Sequence, residues 1–435
     1  MSGACGAGMP GSEADGEDGV PAQDGALARD WATVWQSEAA ALATDRELRE
    51  AWRAGVGEAS GAGGGAEAPP GPMRRRGPRP LALHLWAAGA QGGPDAALVA
   101  GVAAYRRHPF RREMPDPACL WQEGGTRLLD YGAPGAGGVA VLFVPSLVNR
   151  AQVLDLMPGR SLLRSLAARG VRPLLLDWGW PGEAERRFTL TDYVAGRLER
   201  AVAALGGPVV LAGYCMGGLL CTALAQRRPE LVAALALLAT PWDFHADDED
   251  RVAGEGGAGR SWTPDAVVRA LALLEPGMAA SGALGVDALQ TLFEGAAPGA
   301  VAAKYRGFGR EEPDSGRARC FVAIEDWLAD GVPLAAPVAR ECLGGWYGAN
   351  SPARGAWRVA GLAVVPGALR LPSLVAVPTR DRIVPAGSAL ALGRLIAGSV
   401  VLRPAAGHVG MVVGSRAEAE LWGPLLDWLR RQGCG

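Results

Sequence analysis

A mostly parallel, doubly wound α/β sheet is the fold class this chain predicts, and three observations carry it. Short apolar runs alternate with helical patterns over residues 118–240 and again over 369–435. The run at 138–144 (GVAVLFV) is unbroken, as expected of a strand buried on both faces. The run at 208–212 meets Gly213-Tyr214-Cys215-Met216-Gly217 and then a helical pattern, the shape of a tight strand-to-helix turn. Strand–helix alternation of this kind closes into a parallel sheet with right-handed crossovers.

Residues 1–72 stand outside that pattern. The first 26 are rich in Gly, Ala, Asp and Glu and read as disordered. A helix is expected over 28–55, with Trp31 and Trp35 one turn apart, docked on the main domain or on a partner. The stretch 57–72 (GEASGAGGGAEAPPGP) is a linker by composition. Residues 73–117 form a helical segment, with helices at 80–88 and 96–105, ending in the basic run RRHPFRRE. Its arginines, Arg106 to Arg112, read as a solvated face first and as an anion or partner site second.

The first part of the core, 118–240, opens at Trp121, with strands expected at 127–131, 138–144, 171–176, 208–212 and 232–238. Helices fall between them at 161–169, 189–205 and 216–227, the second opening on Thr189 with Asp192 as a capping acid. The rhythm breaks over 241–368, a span too long for a loop, which reads as an inserted helical cap. The second part of the core, 369–435, adds strands at 373–377 and 399–403 and a terminal helix at 417–431.

Composition narrows the class. With 49% hydrophobic and 20% charged residues, the 435-residue chain can bury a sizeable core, and a net charge of −2 argues against nucleic acid as a partner. Its cysteines (5, 119, 215, 221, 320, 342 and 434) contain no C-x-x-C pair, so neither a disulfide framework nor a zinc site is indicated, and a reducing cytoplasm is expected. The N-terminus lacks a basic and then apolar leader, and no apolar run reaches the ~18–20 residues of a transmembrane segment.

The chemistry gathers on three side chains. Glycines at Gly213 and Gly217 suit an elbow that leaves no room for a Cβ. Cys215 then lies at a helix N-terminus, where backbone N–H groups favour a thiolate; the bland alternative is a small core residue. Asp381 follows the strand at 373–377 and also reads as a turn residue before Pro385, while His408 follows the last strand in a Gly-flanked loop. His84 and His108 precede the sheet, and His245 sits in an acidic loop where a solvated role is expected. The order Cys215, Asp381, His408 is that of the α/β-hydrolase fold. There a thiolate attacks, an imidazole carries its proton, and a carboxylate fixes the imidazole's tautomer. An oxyanion hole would need two backbone N–H groups, that of Met216 and that of Leu147 or Val148.

The segments GYCMGG, PSLVNRAQVLDL, DWGWP followed by RFTLTDYV, TPWDF, DRIVP and GHVGMVVG together resemble the polyhydroxyalkanoate synthases, which carry cysteine where related lipases carry serine. The resemblance runs from Trp121 to Trp428 and thins over 241–350. It implies transfer of (R)-3-hydroxyacyl groups from coenzyme A thioesters to a growing polyester. In that scheme Cys215 carries the acyl chain, His408 deprotonates the thiol, and His408 or Asp381 assists the next hydroxyl. No cofactor beyond the coenzyme A thioester substrate is implied. The partners implied are a polyester granule surface and either a second copy or a second synthase subunit. A cysteine hydrolase (thioesterase, esterase or depolymerase) and an inactive granule protein are the competing readings. Trp180, Trp242, Trp327, Trp346 and Trp357 are candidates for an acyl channel, against the plainer reading as core, and Cys221 is expected to be a buried structural thiol.

Overall fold

The computed structural model describes residues 77–78, 95–132, 139–246, 263–296 and 299–434. The helices expected at 28–55 and 80–88, the linker at 57–72, His84 and Arg74 to Arg76 lie outside them. Within this range a single sheet of eight strands organises the molecule. In chain order they are β1 (Ala118–Glu123), β2 (Thr126–Asp130), β3 (Val141–Val144), β4 (Pro173–Asp177), β5 (Val209–Tyr214), β6 (Val232–Leu238), β7 (Ser373–Ala376) and β8 (Val400–Leu402). Across the sheet the order is β1-β2-β4-β3-β5-β6-β7-β8. The first two strands join antiparallel and the rest pair in parallel.

Burial explains which strands were legible. Every residue of β3, β4, β5 and β7 is buried, so each reads as an unbroken apolar run. The sheet begins one strand earlier than the expected opening at 127–131. Strand β1 lies at the edge, four of its six residues exposed, with a register irregularity between Cys119 and Trp121. An edge strand of that kind offers neither an apolar run nor clean alternation.

Helices cover both faces. The connections carry α2 (Leu162–Ala167), a π-helical stretch (Asp192–Leu198) running into α3 (Glu199–Ala203), and α4 (Met216–Arg227). The turn into the π stretch is closed reciprocally: Thr189 N and Oγ1 both donate to Asp192 Oδ2, and Asp192 N donates back to Thr189 Oγ1. One buried cluster lies under α3 and α4, and a second lies on the opposite face under α2 and the C-terminal residues Leu421 to Leu429.

Between β6 and β7 the chain leaves the sheet and turns helical. It forms α5 (Pro264–Ser281), α6 (Val286–Ala296), α7 (Ala300–Phe308), α8 (Gly316–Ala329), α9 (Ala336–Arg340) and a π-helical stretch (Glu341–Gly348). Thr263 and Ser315 cap α5 and α8 with side-chain oxygens that accept from Ala266 N and Ala318 N. The helix α1 (Ala96–Arg107), which precedes the sheet, packs against this insertion: Tyr105 stands edge-on to Tyr305 at 5.7 Å and donates its hydroxyl to Asp326 Oδ1 at 2.8 Å.

Topology decides where chemistry can sit. The chain passes from β3 to β4 on one side and then to β5 on the other, which opens a crevice at the carboxyl ends of β3 and β5. Val144 is in register with Gly213, so the loops after these two strands leave the sheet side by side.

Candidate active site

The elbow between β5 and α4 is built by close approach. A Cβ added at Gly213 would lie 2.3 Å from Gly218 Cα, and one at Gly217 would lie 2.0 Å from the Val144 carbonyl oxygen. Gly218, to which the sequence reading gave no role, has the same need: its Cβ would meet Thr240 Oγ1 at 1.9 Å. Cys215 itself takes a φ of 54°, a left-handed conformation that a cysteine adopts only under constraint. The constraint is visible in its hydrogen bonds, Cys215 N to Leu238 O at 2.8 Å and Gly218 N to Cys215 O at 3.0 Å. The result lifts the half-buried thiol above the sheet at the N-terminus of α4.

Asp381 and His408 arrive from the loops after β7 and β8. Those loops stay zipped beyond the strands, with Thr379 N donating to Pro404 O and Arg380 N to Ala406 O. Asp381 serves both of its expected readings. Its Oδ1 accepts from Ile383 N and Val384 N at 2.8 and 2.9 Å, which is the turn, and its Oδ2 takes His408 Nδ1 at 2.6 Å. With a carboxylate as acceptor, Nδ1 carries the proton and the other ring nitrogen is left for the Cys215 sulfur, which hydrogen-bonds the imidazole. Burial alone would disfavour the imidazolium, but the charges of Asp381 and Cys215 outweigh it and hold the His408 pKa well above 6.5. Tyr214 steadies the same loop, its hydroxyl donating to His408 O at 3.3 Å and its ring 5.1 Å from the imidazole.

The loop after β3 lies against the elbow, and its N–H groups are not equivalent. Val148 N donates to Ser146 Oγ at 3.1 Å, whereas among the described residues none accepts from Leu147 N. Met216 N, at the first position of α4, has no partner within its helix either. Trp178 Nε1 donates to Pro145 O at 3.0 Å and so ties the Asp177-Trp178-Gly179 turn to this loop. Reading the sequence assigned Trp178 nothing beyond its place in a matched segment; its position directly after β4, next to β3 in the sheet, was the available signal.

The insertion supplies the opposite wall. Tyr347 lies close enough that the charges of Cys215 and Asp381 add to burial, the larger cause, in raising its phenol pKa. Asn350 grips the segment after β6, with its Nδ2 donating to Asp243 Oδ1 at 2.7 Å and its Oδ1 accepting from Phe244 N at 3.0 Å. His245, expected to be solvated, is half-buried and its Nε2 bonds Tyr347 O at 2.9 Å. His108 likewise holds a loop, through Pro313 O at 2.8 Å. Of the five tryptophans considered for a channel, Trp242, Trp346 and Trp357 form one buried aromatic cluster. Trp180 is exposed, and Trp327 is buried on the other face of the sheet. Cys221 is fully buried, and burial pushes its thiol pKa up. In the basic run, Arg112 is committed to Asp155.

A cysteine elbow, an imidazole and a carboxylate at the carboxyl edge of an eight-stranded sheet define a class, and comparison with known proteins agrees. Residues 139–415 match the alpha/beta hydrolase fold family. The poly(3-hydroxyalkanoate) polymerase subunit of Haloferax mediterranei is 29% identical over 71% of this chain and 62% of its own length. That of Haloarcula marismortui is 26% identical over 73% of this chain and 68% of its own. That of Allochromatium vinosum is 27% identical over 69% of this chain and 83% of its own. The chain thus spans less than two thirds of the H. mediterranei relative. It belongs to the alpha/beta hydrolase fold family, and the relatives it is similar to are named as poly(3-hydroxyalkanoate) polymerase subunits.

Proposed function

We propose that this protein polymerises (R)-3-hydroxyacyl-coenzyme A into polyhydroxyalkanoate through a thioester on Cys215. The observation that carries the reading is cysteine, rather than serine, at an elbow bonded to a His408–Asp381 pair, in a chain related to proteins named as polymerases. The thiol proton passes to His408, and the sulfur attacks the substrate's thioester carbonyl. The tetrahedral oxyanion rests on the N–H groups of Met216 and Leu147. Collapse expels the coenzyme A thiolate, which takes the proton back from His408, and leaves the acyl group on Cys215. The 3-hydroxyl of the next monomer then attacks that carbonyl, giving its proton to His408, with Asp381 holding the imidazolium. An oxygen ester forms, the Cys215–acyl bond breaks, and the thiol is restored.

Thiolate chemistry suits this cycle because loading exchanges one thioester for another, so the covalent step is close to neutral. Water must be kept out, or the acyl-enzyme hydrolyses, and the helical insertion over residues 241–368 is the lid on this reading. No described helix is long and apolar enough to cross a membrane. We place the protein in the cytoplasm at the surface of polyester granules, working as a homodimer or with a second synthase subunit. The test is coenzyme A release from (R)-3-hydroxybutyryl-coenzyme A with the polymer weighed. Release with polymer, lost by a factor of about a thousand or more in Cys215→Ala, is expected. Release with free acid alone would replace the reading with a hydrolase.

A further inference from the structure

The N–H of Leu147 finds no acceptor among the described residues, in a loop pinned at four points, two of them from the segment inserted between β6 and β7. On the core side, Trp178 Nε1 holds Pro145 O at 3.0 Å, and Ser146 Oγ holds Val148 N at 3.1 Å. On the other side, Val332 N donates to Val148 O at 3.1 Å, and Trp327 Nε1 donates to Arg150 O at 2.7 Å. The Pro145–Ser146 plane is held through Pro145 O and the Leu147–Val148 plane through Val148 N, so the plane between them, which carries the Leu147 N–H, is held between two fixed neighbours. Trp327 is buried near the end of α8, and its neighbour Asp326 receives the Tyr105 hydroxyl, so the anchor is itself braced.

We propose that Trp327 is a positioning residue of the acyl-transfer site: through the Arg150 carbonyl it aims the Leu147 N–H at the oxyanion formed over Cys215. This rests on the reading of Leu147 as an oxyanion donor. The plainer account is that a buried indole merely satisfies its own N–H, and the two differ in what they predict. Oxyanion stabilisation serves attack on a carbonyl, whereas alkylation of a thiolate by iodoacetamide develops no oxyanion. A misaimed donor therefore slows the first reaction and leaves the second alone.

The experiment compares Trp327→Phe with wild type on two probes. The first is p-nitrophenyl butyrate, which acylates Cys215, forming the sulfur–acyl bond and releasing p-nitrophenolate without any coenzyme A site. The second is iodoacetamide. The burst of p-nitrophenolate should slow about ten- to a hundredfold, while alkylation stays within about twofold. An unchanged burst, or a parallel loss of both reactions, would overturn the proposal. Val332→Pro removes the other donor from the insertion and should show the same selectivity; it decides alone if the first variant is insoluble. Absence of any Cys215-dependent burst in wild type would instead strike the underlying assignment of the site. Failure to make polymer touches neither probe.

Discussion

The elbow and the loop after β3 leave the sheet side by side, yet they are held in opposite ways. The elbow is made by its own residues: Gly213, Gly217 and Gly218 clear the space, and Cys215 is strained into place by bonds to Leu238 O and Gly218 N. The loop that carries Leu147 has one internal bond, Val148 N to Ser146 Oγ, and owes its shape to Trp178, Trp327 and Val332. One half of the site is local geometry and the other is tertiary. The elbow can therefore be read from a handful of consecutive residues, while the proposed oxyanion donor cannot.

That contrast is broken most severely where the two halves touch. In Gly217→Ala the new methyl would meet the Val144 carbonyl at 2.0 Å, and because that atom is backbone, β3 and its loop must move. A cost of about 1–3 kcal/mol in stability is expected, with acyl transfer falling further than the melting temperature alone accounts for. A variant with wild-type melting and wild-type coenzyme A release would show that the elbow and the loop are not in contact in solution. A smaller effect is expected from Trp178→Phe, which keeps the ring and deletes the bond to Pro145 O. Acylation should drop about tenfold with little change in iodoacetamide reactivity. Equal loss of both would make Trp178 a prop for the thiol rather than for the loop.

The same division explains what the sequence disclosed. Cys215 and Asp381 each follow a buried strand whose apolar run announces it, His408 follows the short, largely exposed edge strand β8, and their order along the chain fits the fold. The choice between Leu147 and Val148 was open because it turns on a single side chain, Ser146, folding back on Val148 N. Strand β1 was missed because an exposed edge carries no apolar signature. His245 was misjudged because its neighbours in sequence are acidic, while its partner, Tyr347 O, lies 102 residues away. Composition describes a residue's neighbours along the chain, and a cap is built from contacts across it.

His408 belongs to both halves, and its protonation gives the last test. Burial opposes the imidazolium, but Asp381 and Cys215 raise its folded-state pKa well above 6.5. A raised pKa in a base means the folded state holds its proton more tightly than the unfolded chain does. The stabilisation is therefore complete below about pH 6.5 and is lost as the pH rises through the folded-state value. The melting temperature of wild type should exceed that of His408→Gln by the most near pH 6, by a few degrees, and the gap should narrow as the pH rises through the elevated folded-state value. A gap that widened with pH would mean the imidazole is buried neutral. The elbow would then owe less to its charged neighbours than to its glycines.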